Sequence, residues 1–101
     1  MKTLPLPSHE IDMMRAVLRR HPKVTSATLF GSRAKGTHTV RSDVDLALNG
    51  NVAPLETQAI AADLDELPLP YHFDVQSLQN IVHPPLLEHI ERVGICIYSI
   101  K

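Results

Sequence analysis

The chain has 101 residues, 44% of them hydrophobic and 21% charged, with a formal net charge of −1. That composition suits one globular domain able to bury roughly 60–70% of the surface of its unfolded chain, and it leaves no room for a second, acceptor-binding domain. A charge so near zero offers no global attraction to nucleic acid or to an anionic membrane. The lone cysteine, Cys96, excludes an internal disulfide and fits a reducing compartment. Its apolar neighbours predict a buried, inert thiol. Pro5 and Pro7 interrupt any signal-peptide core, and no apolar run approaches the ~18 residues of a membrane span. A cytoplasmic location follows as the expectation.

Residues 1–7 read as an extended, proline-punctuated lead-in. Ser8 is placed to cap a helix running to about Arg20, with Ile11, Met14, Val17 and Leu18 as its buried stripe. Pro22 ends it. A strand follows over residues 24–30, in which Thr28, Leu29 and Phe30 show no polar alternation and so predict a central position. Gly31-Ser32 then turns the chain into a helical turn over 32–35, and a second strand is expected over 43–48. Asn49-Gly50-Asn51 predicts a turn. Pro54 suits the first turn of another helix, whose core contacts are expected to be Leu55, Ala59, Ala62 and Leu67. Leu67-Pro68-Leu69-Pro70 stops it. Tyr71 to Val75 alternates as a short strand, with Tyr71, Phe73 and Val75 on one side and His72 and Asp74 on the other. His83-Pro84-Pro85 opens a last helix carrying Leu86, Leu87, Ile90 and Val93, with Gly94 as its C′ residue. Residues 95–100 close the chain as an edge strand. The expected fold is a single α/β (α+β) domain over residues 1–101, a small mixed sheet flanked by helices.

The chemistry concentrates between residues 29 and 48, LFGSRAKGTHTVRSDVDLAL. Residues two apart on a strand point to the same side, so Asp43 and Asp45 project together. Carboxylates held side by side repel, and a divalent cation is the usual remedy. The preceding glycine turn frees backbone amides at a helix start, where phosphate binds well. Charge is divided along the chain in the same sense. Residues 1–41 hold eight Lys and Arg against two Asp and Glu, and residues 42–101 hold two against nine. A phosphate-facing side next to a metal-facing side has this distribution, as does ordinary solvated surface. The arrangement suggests a site for a metal-bound nucleoside triphosphate.

Gly31-Ser32, Gly36, Ser42-Asp43 and Asp45 together resemble the signature of the DNA polymerase β-like nucleotidyltransferase superfamily. Within it the chain is most similar to the minimal nucleotidyltransferases, small bacterial proteins often encoded beside a helical HEPN-domain partner. The likeness runs on through Asp74 and the stretch Gly94-Ile95-Cys96-Ile97-Tyr98, and so covers most of the chain. It implies a polymerase β-like fold and transfer of a nucleoside monophosphate, AMP from ATP, to a hydroxyl. It also implies two Mg²⁺ ions held by Asp43, Asp45 and Asp74, with Asp74 drawing the acceptor's proton. Gly31 and Ser32 would meet the β,γ-phosphates, with Arg33 and Ser42 as further nucleotide-binding candidates. Arg33 and Lys35 read equally as solvated turn residues, Ser32 as a plain N-cap, Ser42 as a turn cap and Gly36 as conformational. His38 departs from the small residue that most relatives carry there.

The acceptor implied by the resemblance is a tyrosine of a HEPN toxin, with this chain as its antitoxin. Two alternatives stay open: a non-catalytic module that neutralises the same partner by binding, and a catalytic subunit acting on a small hydroxylated molecule. Other chemistries fail on the residues. Gly31-Ser-Arg-Ala-Lys35-Gly36-Thr37 lacks the lysine a P-loop carries after its second glycine. The six histidines show no zinc-ligand spacing and read as surface or locally hydrogen-bonded. No nucleophile elbow is present. With 4% aromatic residues and no tryptophan, the chain offers no base-stacking platform for direct nucleic-acid binding.

Overall fold

β1 (Val24–Phe30), rich in β-branched and aromatic residues, has a hydrogen-bonded strand on each side and carries the rest of the sheet. A computed structural model describes residues 6–37, 39 and 42–100. The first five residues of the expected lead-in, and the expectation placed on His38, lie outside the described residues. In chain order the elements are α1 (Ser8–Arg19), β1, the single turn α2 (Ser32–Lys35), β2 (Val44–Gly50), α3 (Pro54–Asp65), β3 (Phe73–Ser77), α4 (Pro84–Val93) and β4 (Ile95–Ser99). A short 3₁₀ turn, Leu78–Asn80, follows β3. The sheet runs β3-β2-β1-β4. β1 pairs antiparallel with β2 and with β4, while β2 and β3 are parallel. A parallel pair needs a crossover, and α3 supplies it. The expected mixed α/β architecture is the one observed.

The strand alternation sorts side chains onto two faces. One face buries Leu29, Val44, Leu46, Leu48, Phe73 and Ile97 against Ile11, Met14 and Leu18 of α1 and Ile60 and Leu64 of α3. The opposite face buries Phe30 and Ala47 beneath Ile90 of α4, with Leu78, Ile81 and Leu86 around them. The stripe expected on α1 is buried in full. Burying an aliphatic side chain of this size stabilises by about 1.5–3 kcal/mol, so both sheet faces contribute. Among the described residues no helix is long and apolar enough to cross a membrane.

Several local expectations are corrected. Ser8 does not cap α1. Pro7 holds that position, and its carbonyl accepts from Glu10 and Ile11 at 3.0 and 3.1 Å, so the helix starts one residue early. β2 continues through Asn49 and Gly50 instead of turning there, because β1 pairs with it as far as Val24 opposite Gly50. The strand expected at 71–75 begins at Phe73, with Tyr71 still packed on the core. On α3, Leu55, Ala59 and Ala62 are exposed, and Thr57, Ile60 and Leu64 face inward. Thr57 hides this stripe from a hydrophobicity reading. Its hydroxyl donates to Pro54 O at 2.6 Å, which makes its burial acceptable. Leu67 does pack against the core, as expected. Leu87 of α4 is exposed.

Cys96 is exposed as well, because Ile97 takes the inward position of β4 and its neighbour must face away. β4 lies at the sheet edge as expected, and Arg15 Nε covers part of that edge by donating to Ile97 O at 2.6 Å. Gly94 ends α4 in extended backbone, φ −63° and ψ 144°, not the left-handed conformation of a C′ glycine. Close approach requires it instead. A Cβ there would fall on the Ile90 carbonyl oxygen and on Thr28 Cγ2. Gly94→Ala is therefore expected to lower stability by about 1–3 kcal/mol, the usual cost of overpacking, and a urea melt measures it.

Candidate active site

The start of β2 and the turn after β1 meet at one point. Asp45 lies on β2 in register with Asp74 of parallel β3 on one side and Phe30 of β1 on the other. Paired residues of neighbouring strands share a face, and Asp43, just before β2 begins, lies near enough for its charge to act on Asp45. Three carboxylates thus occupy one corner of the sheet face that α4 partly covers. Asp43 and Asp74 are exposed, and Asp45 is half-buried.

Their electrostatics follow from that placement. Burial first, then the nearby charges of Asp74 and Asp43, push the Asp45 carboxyl up from 3.8 to about 6. A carboxylate disfavoured in this way is one that a cation would relieve. Among the described residues no three His, Cys, Asp or Glu side chains are grouped so as to hold a metal ion by themselves. The donor set nevertheless fits magnesium, a hard cation that takes oxygen ligands, retains waters and shares its shell with substrate phosphates.

Gly31 brings the turn against this corner. Its backbone, φ 79° and ψ −157°, lies in a region that glycine alone occupies readily. The space where a Cβ would sit is filled by Asp45 Oδ2. Ser32 and Arg33 follow as the first residues of α2, where backbone amides lack a preceding carbonyl partner. The first bond of that turn is Lys35 N–H to Gly31 O, at 3.1 Å. Gly36 closes α2 in the left-handed conformation, φ 79° and ψ 12°, with open space around it. The conformational role expected of Gly36 is the one seen.

Arg33 is not the solvated turn residue it could have been. It is only 4% exposed. Its guanidinium lies 4.6 Å from the centre of the Tyr71 ring, and Nε and Nη2 donate to Ser42 O at 3.2 and 3.1 Å. Tyr71 in turn donates to Glu10 at 2.6 Å, joining α1 to the segment before β3. Burial, chiefly, and the Glu10 carboxylate raise the Tyr71 phenol above its usual range. Ser42 caps its own turn: Oγ accepts from Thr39 N–H at 2.9 Å, and its N–H donates to Thr39 O at 3.1 Å. Arg33 and Ser42 thus brace the segment leading into Asp43, while Lys35 points outward. Arg33→Lys is expected to cost about 1–3 kcal/mol in a denaturant melt, because an ammonium cannot both stack on Tyr71 and fork onto one carbonyl.

One further side chain reaches the turn. His89 Nε2 of α4 accepts the Gly31 N–H at 3.1 Å, and its ring meets Phe30 edge-on, with centroids 6.3 Å apart. Zinc-ligand spacing gave no reason to single it out. The available signal was its position, since residues 86, 89, 90 and 93 form one helical stripe in which only His89 is polar.

A family model described as polymerase beta, nucleotidyltransferase matches residues 13–101. No curated protein matches the sequence. Solved structures of the same fold include a mutant MntA–HpeT toxin–antitoxin complex. Its matched chain is 20% identical with a TM-score of 0.75, over 90% of this chain and 74% of that one. A toxin–antitoxin complex with AMP-PNP has 21% identity and a TM-score of 0.74, over 95% and 76%. A tri-AMPylated Shewanella oneidensis HEPN toxin in complex with an MNT antitoxin has 19% identity and a TM-score of 0.71, over 91% and 71%.

Proposed function

We propose that this chain, which belongs to the polymerase β nucleotidyltransferase family, transfers AMP from ATP to a tyrosine hydroxyl of a HEPN-domain partner and thereby acts as its antitoxin. The carrying observation is Asp45, paired with Asp74 of β3, close to Asp43 and directly against Gly31. Structural neighbours solved as toxin–antitoxin complexes, one with AMP-PNP and one with an AMPylated HEPN toxin, support the choice of nucleotide and partner. In this reading the chain works in the cytoplasm, as a single domain whose acceptor is presented by the partner.

Asp43, Asp45 and Asp74 are the residues to hold magnesium, two ions by analogy with the family. Bound there, the metal would neutralise the triphosphate and the oxygens of the displacement. The turn at Gly31 and Ser32 holds the β,γ-phosphates through the backbone amides that follow Gly31 and the serine hydroxyl. Asp74, exposed at the rim, takes the proton of the acceptor hydroxyl. That oxygen forms the new bond to the α-phosphorus as the bond to the β-phosphate bridging oxygen breaks, and pyrophosphate leaves. Arg33 and Ser42 hold the loop before Asp43 in place.

The test uses the purified protein with Mg²⁺, ATP labelled at the α-phosphate, and the helical protein encoded beside it. The expected result is label on that partner, in mass increments of AMP, requiring Mg²⁺ and lost with Asp43→Asn. Tight association without label would assign the chain as a binding module instead. Label appearing only on a small hydroxylated compound would replace the protein acceptor.

A further inference from the structure

We infer that His89 is the residue that positions the phosphate-binding turn against the carboxylate corner, acting through the Gly31 peptide rather than on the substrate. The inference rests on the nucleotide-transfer reading above and adds to it a residue on a different element.

Gly31 suits glycine alone, since its conformation disfavours other residues and Asp45 Oδ2 fills the place a Cβ would take. The same freedom leaves that peptide the loosest joint between β1 and Ser32, because glycine has the most conformational entropy to lose. Something must hold it. His89 holds it from outside the turn, with Nε2 taking the Gly31 N–H at 3.1 Å. Accepting at Nε2 requires the ring proton to sit on Nδ1. The ring is itself fixed by its edge-on contact with Phe30, the residue paired with Asp45, and by the burial of its neighbour Ile90. One side chain therefore sets the residue that pairs with Asp45 and the peptide that leads into Ser32. A group held this way improves binding because less ordering remains to be done when the phosphates arrive.

Two variants separate the hydrogen bond from the ring. His89→Phe keeps an aromatic ring against Phe30 and removes the acceptor. His89→Gln removes the ring and leaves a carbonyl oxygen able to reach the Gly31 N–H. The expected result is an ATP KM raised about fivefold to tenfold in His89→Phe, with kcat changed much less, and recovery of most of that loss in His89→Gln. Amide hydrogen exchange on the nucleotide-free protein gives an independent readout. The Gly31 amide should be protected in wild type and His89→Gln and should exchange faster in His89→Phe.

Equal KM for wild type and His89→Phe would overturn the inference, as would an unprotected Gly31 amide in the wild-type chain. Tighter ATP binding by His89→Phe would also overturn it, making His89 a competitor for the phosphate instead of a support. A wild-type chain that binds no nucleoside triphosphate, yet protects its Gly31 amide through His89, would sink the nucleotide reading and not the positioning contact.

Discussion

Asp45→Asn should cost the proposed nucleotidyl transfer on the order of 10³-fold, the scale at which one preorganised electrostatic group contributes, and should at the same time make the metal-free protein more stable. Both effects come from one carboxylate. Burial and the neighbouring Asp74 and Asp43 raise its folded-state pKa to about 6, against an ordinary 3.8. A raised carboxyl means that the folded state holds its proton more tightly than the unfolded state does, so stability falls as pH rises through that interval. Below about pH 4 the carboxyl is protonated in both states and Asp45 contributes nothing. Above about pH 6 the whole penalty applies. Two pH units correspond to nearly 3 kcal/mol in full, which partial exposure and solvent screening reduce to about 1 kcal/mol. For a domain of this size that is a Tm gain of roughly 4–8 °C at neutral pH, shrinking toward zero near pH 4. Mg²⁺ should raise the Tm of the wild-type chain and leave that of Asp45→Asn nearly unchanged. The exposed Asp43→Asn should lose activity with a smaller stability gain. An Asp45→Asn protein with normal transfer, or one less stable at pH 7.5 than wild type, would reject this account of the corner.

The outline of the candidate site was readable in the sequence because it is encoded locally. Asp43 and Asp45 need only the strand repeat to share a face, and Gly31-Ser32 needs only a strand before it and a helical turn after it. Helix α1 was equally plain, its apolar stripe being uninterrupted. What escaped reading depends on contacts between distant segments. Arg33 looks like any basic turn residue until Tyr71, arriving from beyond α3, stacks beneath it. The inward face of α3 was missed because a threonine stands in it, and only its bond to Pro54 O makes that burial tolerable. Gly94 was assigned the wrong reason: its φ is ordinary, and the demand for glycine comes from β1 packing across the end of α4. His89 sits 58 residues from the peptide it holds, a relation that no spacing rule reaches.

The Gly31→Ala variant is expected to damage activity and stability together. Two costs combine. At φ 79° and ψ −157° an alanine pays about 1–3 kcal/mol of backbone strain. Its methyl group would also fall on Asp45 Oδ2, so either the turn or the carboxylate must move. A displacement of about 1 Å at a reacting centre costs on the order of 10²-fold in rate, and transfer should fall by at least that much. Gly36 is the control, with the same φ of 79° but open space where a Cβ would sit. Gly36→Asn, which accepts left-handed backbone, should change stability by less than about 1 kcal/mol and keep most of the activity. A double-mutant cycle read by denaturant melts then separates the two costs at Gly31. In an Asp45→Ala background the carboxylate is gone and only the strain remains, so Gly31→Ala should cost less there than in wild type, by about 1 kcal/mol or more. If the two costs are equal, the turn and the carboxylate are not in contact. The proposed nucleotide site would then lose the physical link between its phosphate side and its metal side.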